Sequence, residues 1–316
     1  MDREDEETRY AVFKILRDFH RAGVDRDEAT RAKIQKLFDE ITAIGQEFER
    51  NVREDVRSLR VRPSELEGLP EDFLASHPPA KDGLVAITTR YPDAFPVFTY
   101  ARNADVRRRL FLEFQNRAYP KNVVVLEQLL AKRHELATLL GYDYWASYIT
   151  EDKMIGSAKA AADFIEKITQ AAENRVHTDL GMLLDRKRKD VPDAARIEQW
   201  DVRYYTELVK SERYTVDSRA LRPYFQFERV RDGIFLITSK LFGVRYKRVR
   251  GVRVWHESVE VYDMYERDRR LGRFYLDLHP RDGKFSHAAA SGVTVGLKGR
   301  HVPQALLMCN FPDPRT

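Results

Sequence analysis

The spacing of apolar residues changes at Gly243, from a repeat near 3.6 to a repeat of two, and this switch does most to limit what the chain can fold into. Upstream, Ile34, Leu37, Phe38, Ile41, Ile44, Phe48, Val52 and Val56 recur at helical spacing among charges, which predicts a long amphipathic helix over 27–60. Pro63 and Gly68-Leu69-Pro70 end it, since proline has no N–H to donate. Leu84 to Thr89 reads as a short strand, and helices follow over 104–119 and 122–140, the second stopped by Gly141. Ser157 is placed to cap a third long helix through Ala161, Phe164, Ile168, Leu180 and Leu184, and Pro223 opens a fourth that ends at Gly243. Beyond it, Val259, Val261 and Tyr265 alternate with Glu260, Tyr262 and Met264. After Arg269-Arg270-Leu271-Gly272 the run Phe274, Leu276, Leu278 alternates again, the mark of a β-hairpin. A further strand, Ala305 to Phe311, runs into Pro312-Asp313-Pro314 and reads as part of an interrupted domain. The expected fold is mostly α with a small β-rich C-terminal part: a helical scaffold over 1–243 and a hairpin and strand region over 244–316.

Length and charge narrow the classes further. A chain of 316 residues, 43% hydrophobic, is long enough to bury a substantial core in two lobes or domains. Its 55 basic and 50 acidic residues are interspersed, so the net +5 gives little reason to expect a nucleic-acid partner, and the runs 107–109, 186–189 and 267–270 read as solvated faces. One cysteine, Cys309, excludes an intrachain disulfide, and the acidic start Met1-Asp2-Arg3-Glu4-Asp5-Glu6-Glu7 is unlike a leader; both favour the cytoplasm. No apolar run approaches the roughly 20 residues that span a bilayer, so a membrane location is not expected.

The search for chemistry is mainly a search for missing partners. Zinc peptidases of the gluzincin kind need His-Glu-x-x-His, because a four-residue helical spacing puts both imidazoles on one face beside the metal. His134-Glu135 has Thr138 where the second ligand belongs, and His256-Glu257 has Glu260. There is no Cys-x-x-Cys pair, nucleophile elbow, phosphate loop or dinucleotide fingerprint; Gly292, Gly296 and Gly299 have the wrong spacing. Cys309, between Met308 and Asn310 in an apolar run, reads as a core thiol. Tyr275, Asp277 and His279 share the polar face of the second hairpin strand, with His287 one loop later; they line a cleft or form an ordinary solvent face. Trp145, Trp200 and Trp255 read as core.

Several segments together carry a resemblance. They are 65–74 (Glu65-Leu66-Glu67-Gly68-Leu69-Pro70 and onward), Arg90-Tyr91-Pro92-Asp93-Ala94-Phe95-Pro96, Leu139-Leu140-Gly141-Tyr142, Trp200-Asp201-Val202-Arg203-Tyr204-Tyr205, Trp255-His256-Glu257-Ser258-Val259, and the stretch from Gly272 to Ala288. In this order they resemble the thimet oligopeptidase, neurolysin and oligopeptidase A family of zinc metallopeptidases. The resemblance implies an interior piece of a two-lobed, mostly helical enzyme roughly twice as long, whose channel admits short unfolded peptides. It also implies that the zinc helix, the third ligand and the groups stabilising the tetrahedral intermediate match nothing here. The piece is then expected to be inactive alone, to bind no zinc of its own, and either to be completed by a complementary C-terminal polypeptide or to serve as a non-catalytic peptide-binding subunit. By the same resemblance Ser286-His287-Ala288-Ala289 matches an edge strand that hydrogen-bonds the substrate backbone. His287 and Ala288, with Tyr275 and Asp277, are the candidate substrate contacts.

Overall fold

The computed structural model describes residues 5–214, 220–281, 283–285 and 287–311. The chain divides into two compact units, Met1–Thr206 and Glu207–Thr316. No helix among the described residues is long and apolar enough to cross a membrane.

The first unit is built from α1 (Glu6–Arg21), α2 (Glu28–Glu54), β1 (Ser58–Val61), α3 (Glu71–Ser76), β2 (Val85–Thr88), α4 (Tyr91–Tyr100), α5 (Ala104–Gln115), α6 (Lys121–Leu140), α7 (Trp145–Glu151), α8 (Ala158–Asp190) and the start of α9 (Val202–Tyr214). The periodicity of α2 buries Ile34 and Leu37 against Leu136, Ala137 and Leu140 of α6. At about 2 kcal/mol for each fully buried aliphatic side chain, this seam is a main source of the unit's stability. The helix expected over 27–60 stops at Glu54, because Ser58–Val61 pairs antiparallel with Val85–Thr88. Asp55 secures the break by accepting from the Ala118 N–H at 2.6 Å and from Arg57 at 3.1 Å. The resulting two-stranded sheet packs Val61, Val85 and Ile87 with Val97, Val106 and Leu110 of α4 and α5. Ser157 caps α8 as expected, its hydroxyl accepting from the Ala160 N–H at 3.1 Å.

Not every arginine of the charge runs is solvated. Arg107 is 1% exposed, donates to Asp201 at 2.7 Å and to the Ala101 carbonyl at 2.6 Å, and lies 4.1 Å above the Tyr204 ring. Asp201, equally buried, takes a second cation from Lys187 at 2.7 Å. Burial is tolerable because each charge is paired and hydrogen-bonded, which ties α5 and α8 to the turn before α9.

The second unit holds the rest of α9 and then α10 (Phe227–Phe242), where Gly243, at φ 66°, supplies the left-handed residue that ends a helix and starts a strand. The expected opening at Pro223 is a short 3-10 turn, and α10 itself begins four residues later. Five strands follow: β3 (Val244–Val249), β4 (Glu260–Glu266), β5 (Arg269–Asp277), β6 (Ala289–Thr294) and β7 (Gln304–Met308). Their spatial order is β3-β4-β5-β7-β6, antiparallel except that β7 runs parallel to β5. The expected hairpin is β4–β5, but it turns at Arg267-Asp268, so Gly272 sits inside β5 and not in the turn. Phe235 of α10 covers one face, 4.8 Å from the rings of both Tyr246 and Tyr262, over a core that includes Leu276, Leu278 and Cys309.

Candidate functional site

The candidate residues gather where β5, β6 and β7 meet. Asp277 ends β5 and is 1% exposed. Its carboxylate accepts from Trp255 Nε1 at 2.9 Å, from Arg281 Nη1 and Nη2 at 2.7 and 2.9 Å, and pairs with the Lys284 ammonium at 2.9 Å. Burial pushes its acidity one way, but the bonds from Arg281, Lys284 and Trp255 outweigh it and hold the carboxyl well below the usual carboxylate range. Its oxygens are fully engaged, so Asp277 does not lie on an open polar face; it locks the end of β5. His279, the next residue on that face, is likewise buried, its Nδ1 3.2 Å from the Phe311 carbonyl.

Lys284, its side chain 2% exposed, is the second half of the lock. Besides Asp277 it donates to the carbonyls of Asp277, His279 and Cys309 at 2.9, 2.6 and 2.6 Å, so one ammonium joins the strand ends of β5 and β7. Nothing in periodicity or spacing marks Lys284 for this task; the nearest signal is its place seven residues after Asp277 in the stretch that carries the resemblance. Trp255 is 52% exposed and not core, although its N–H is satisfied.

The approach to β6 is held by Asn310, whose amide donates to the carbonyls of Phe285 and His287 at 3.1 and 3.3 Å. His287 and Ala288 are both exposed, immediately before β6, with the His287 ring 5.5 Å from Phe285. Ser286 lies outside the described residues. Among the described residues β6 pairs only with β7 and is the edge of the sheet, so alternate residues turn their N–H and C=O away from any partner strand. Ala290, Ser291 and Gly292 are exposed and small, and a Cβ added at Gly292 would meet nothing within 4 Å. Tyr275 sits two strands in from that edge, half-buried, its hydroxyl donating to Gln304 Oε1 at 2.8 Å. The structure thus places His287 and Ala288 just before the edge strand, Tyr275 inside the sheet, and Asp277 at the buried end of β5.

Neither His-Glu pair makes a metal centre. His134 and Thr138 line a groove between α2 and α6 with Lys33, Lys36, Lys132 and Glu40, and Glu40 and Glu135 are committed to Lys132 at 2.8 and 3.3 Å. His256 lies in a turn with Nδ1 2.8 Å from Ser258 Oγ, and Glu260, at the position of the second ligand, pairs with Arg231 and Arg248 at 3.3 and 2.8 Å. Among the described residues no three His, Cys, Asp or Glu side chains are grouped to hold a metal ion. Burial raises the Cys309 thiol above its ordinary range, which suits a packing role.

Comparison with known proteins bears on what this arrangement is part of. Saccharolysin of Saccharomyces cerevisiae is 31% identical over 98% of the chain and 47% of its own length. The thimet-like oligopeptidase of Dictyostelium discoideum is 29% identical over 99% of the chain and 49% of its own length, and oligopeptidase A of Escherichia coli 27% over 96% and 48%. The chain therefore spans about half the length of the curated relatives it matches. The profile of peptidase family M3 matches residues 97–316, from the middle of α4 through the whole sheet, and the chain belongs to that family.

Proposed function

We propose that this chain is the peptide-positioning part of a zinc metallo-oligopeptidase that acts on short unfolded peptides, and that it hydrolyses none by itself. The observation that carries the reading is β6: an open sheet edge with small side chains, its entry fixed by Asn310 and its neighbour anchored by Asp277 and Lys284. An extended peptide adds to such an edge through main-chain hydrogen bonds, and Ala288, Ala290, Ser291 and Gly292 leave its backbone room to approach. His287 flanks the first position such a peptide would occupy. Hydrolysis needs His-Glu-x-x-His, which these 316 residues lack, so a second polypeptide segment carrying it is required. A single cysteine suits a reducing, cytoplasmic setting.

A second reading, a non-catalytic peptide-binding or split-enzyme subunit, is favoured by the apolar residues that α10 leaves uncovered: Leu241 and Phe242 are 71% and 70% exposed. One experiment separates a catalytic part, completed by another segment, from a non-catalytic binding subunit. The chain is co-expressed with a polypeptide carrying the His-Glu-x-x-His half of a family member, and cleavage of a quenched fluorescent peptide is followed with and without a chelator. Chelator-sensitive turnover by the pair and none by the chain alone is the expected result. Silence from a folded, zinc-loaded pair supports the binding subunit, and chelator-sensitive turnover by the pure chain overturns the proposal.

A further inference from the structure

Charge is unevenly divided along this chain. Residues 1–206 carry 34 basic and 37 acidic side chains, whereas 207–316 carry 21 basic and 13 acidic, a net +8 in the unit that holds the sheet. Much of that excess falls on one structural feature, the edge strand opposite β6. Among the described residues β3 pairs with β4 on one side and has no strand on the other, so its outward backbone groups form a second open edge.

Cations run along this edge. Arg245 and Lys247 project from one face of β3 and are exposed; Arg250 and Arg253 follow in the loop, and Arg267 lies at the hairpin turn beside the strand's start. Arg245 has Asp268 at 3.4 Å, but the side chains of Lys247, Arg250, Arg253 and Arg267 have no acidic partner among the described residues. Where β3 ends, a hollow of about 320 Å³ is lined by valines including Val249 and Val252, by Arg250, and by Arg248 with its partner Glu260 at 2.8 Å. The six residues of β3 extend roughly 17 Å, the length of a six-residue extended segment.

We propose that the β3 edge docks an extended acidic segment of another polypeptide, added as a sixth strand. Its carboxylates would face Arg245 and Lys247. The open edge supplies main-chain bonds and the unneutralised cations choose the sign of the partner. An edge strand guarded by charge against self-association is also a strand that accepts a complementary charge. The inference does not depend on catalysis, since it concerns the opposite edge and is read by binding alone.

The test is fluorescence anisotropy of the full chain with fluorescein-labelled (Val-Glu)₅, with (Val-Lys)₅ as control. Two further isomers of (Val-Glu)₅ are N-methylated at alternate amides, one at the Val residues and one at the Glu residues. Expected are binding of (Val-Glu)₅ but not (Val-Lys)₅, weakening of at least tenfold in Lys247→Glu/Arg250→Glu, and loss in one methylated isomer only, since a paired strand uses every second N–H. Both changed side chains are exposed, and circular dichroism of the variant confirms its fold. Absent binding, equal binding of the two methylated isomers, or displacement by a single-stranded oligonucleotide as readily as by unlabelled peptide would each overturn the proposal.

Discussion

Replacing Asp277 by Asn removes one charge while keeping the volume, and the structure lets the cost be worked out. The carboxylate and the Lys284 ammonium are 1% and 2% exposed and 2.9 Å apart. Deleting one member of a buried pair costs about 3–5 kcal/mol, because the other is left uncompensated. Lys284 keeps three carbonyl acceptors and Arg281 is partly exposed, which argues for the lower end, about 3 kcal/mol. With a urea slope of about 2 kcal/mol per molar, the midpoint of the transition that reports the sheet should fall by roughly 1.5 M. Tryptophan fluorescence is a suitable probe, since Trp255 donates to the same carboxylate. The pH dependence carries a sign. The folded carboxyl is held below its unfolded value near 4, so its stabilisation is complete above that value and is lost as pH falls towards the folded one. The gap between parent and Asp277→Asn should therefore be constant from pH 8 to about 5 and narrow below about pH 4. Removing Lys284 as well (Lys284→Met) should cost at least about 1 kcal/mol less than the sum of the single changes. A gap under about 1 kcal/mol at pH 7, or one that widens in acid, refutes the argument.

Four further outcomes follow from the packing. Asp201→Asn leaves Arg107 and Lys187 without their shared counter-charge and should lower stability by about 3 kcal/mol, read as an earlier urea transition in the first unit. A Cβ at Gly296 would stand 2.7 Å from Pro303 Cδ and 3.0 Å from Pro303 N, so Gly296→Ala should cost about 1–3 kcal/mol in thermal unfolding. Gly292→Ala, which meets open space, should stay within about 0.5 kcal/mol of the parent. Cys309 is 8% exposed with a raised thiol pKa, so its reaction with an aromatic disulfide at pH 7 should be at least tenfold slower than in urea-unfolded chain; an equal rate would show that β7 opens freely.

The helices were legible because their apolar stripes are regular and their stops are chemically distinct: Ser157, Gly141 and Gly243 act where their residue types say they should. The end of α2 was not, since Val56 continues a helical spacing while Ser58–Val61 is drawn into a strand by Val85–Thr88, a partner more than twenty residues away. β3 was hidden for a related reason. Its alternate positions are Arg245, Lys247 and Val249, so polarity does not mark a buried face. Burial of Arg107 and Asp277 was equally invisible, because a charge run and a polar strand face look alike whether the partner is water or a counter-ion. At the site, His287 and Ala288 were reached through resemblance, whereas Lys284 and Asn310, which hold that segment, act through main-chain carbonyls that no residue pattern encodes.

The order of strands also sets an order of events. β7 is the last of the five in sequence yet lies between β5 and β6, parallel to one and antiparallel to the other. Until residues 304–308 leave the ribosome, β6 has no neighbour at all, while β3, β4 and β5 can zip up as consecutive antiparallel strands. Closure of the sheet is thus a late, single insertion that seats two strands together. A chain cut short just before Gln304 would present the meander of β3, β4 and β5 without its β6 margin.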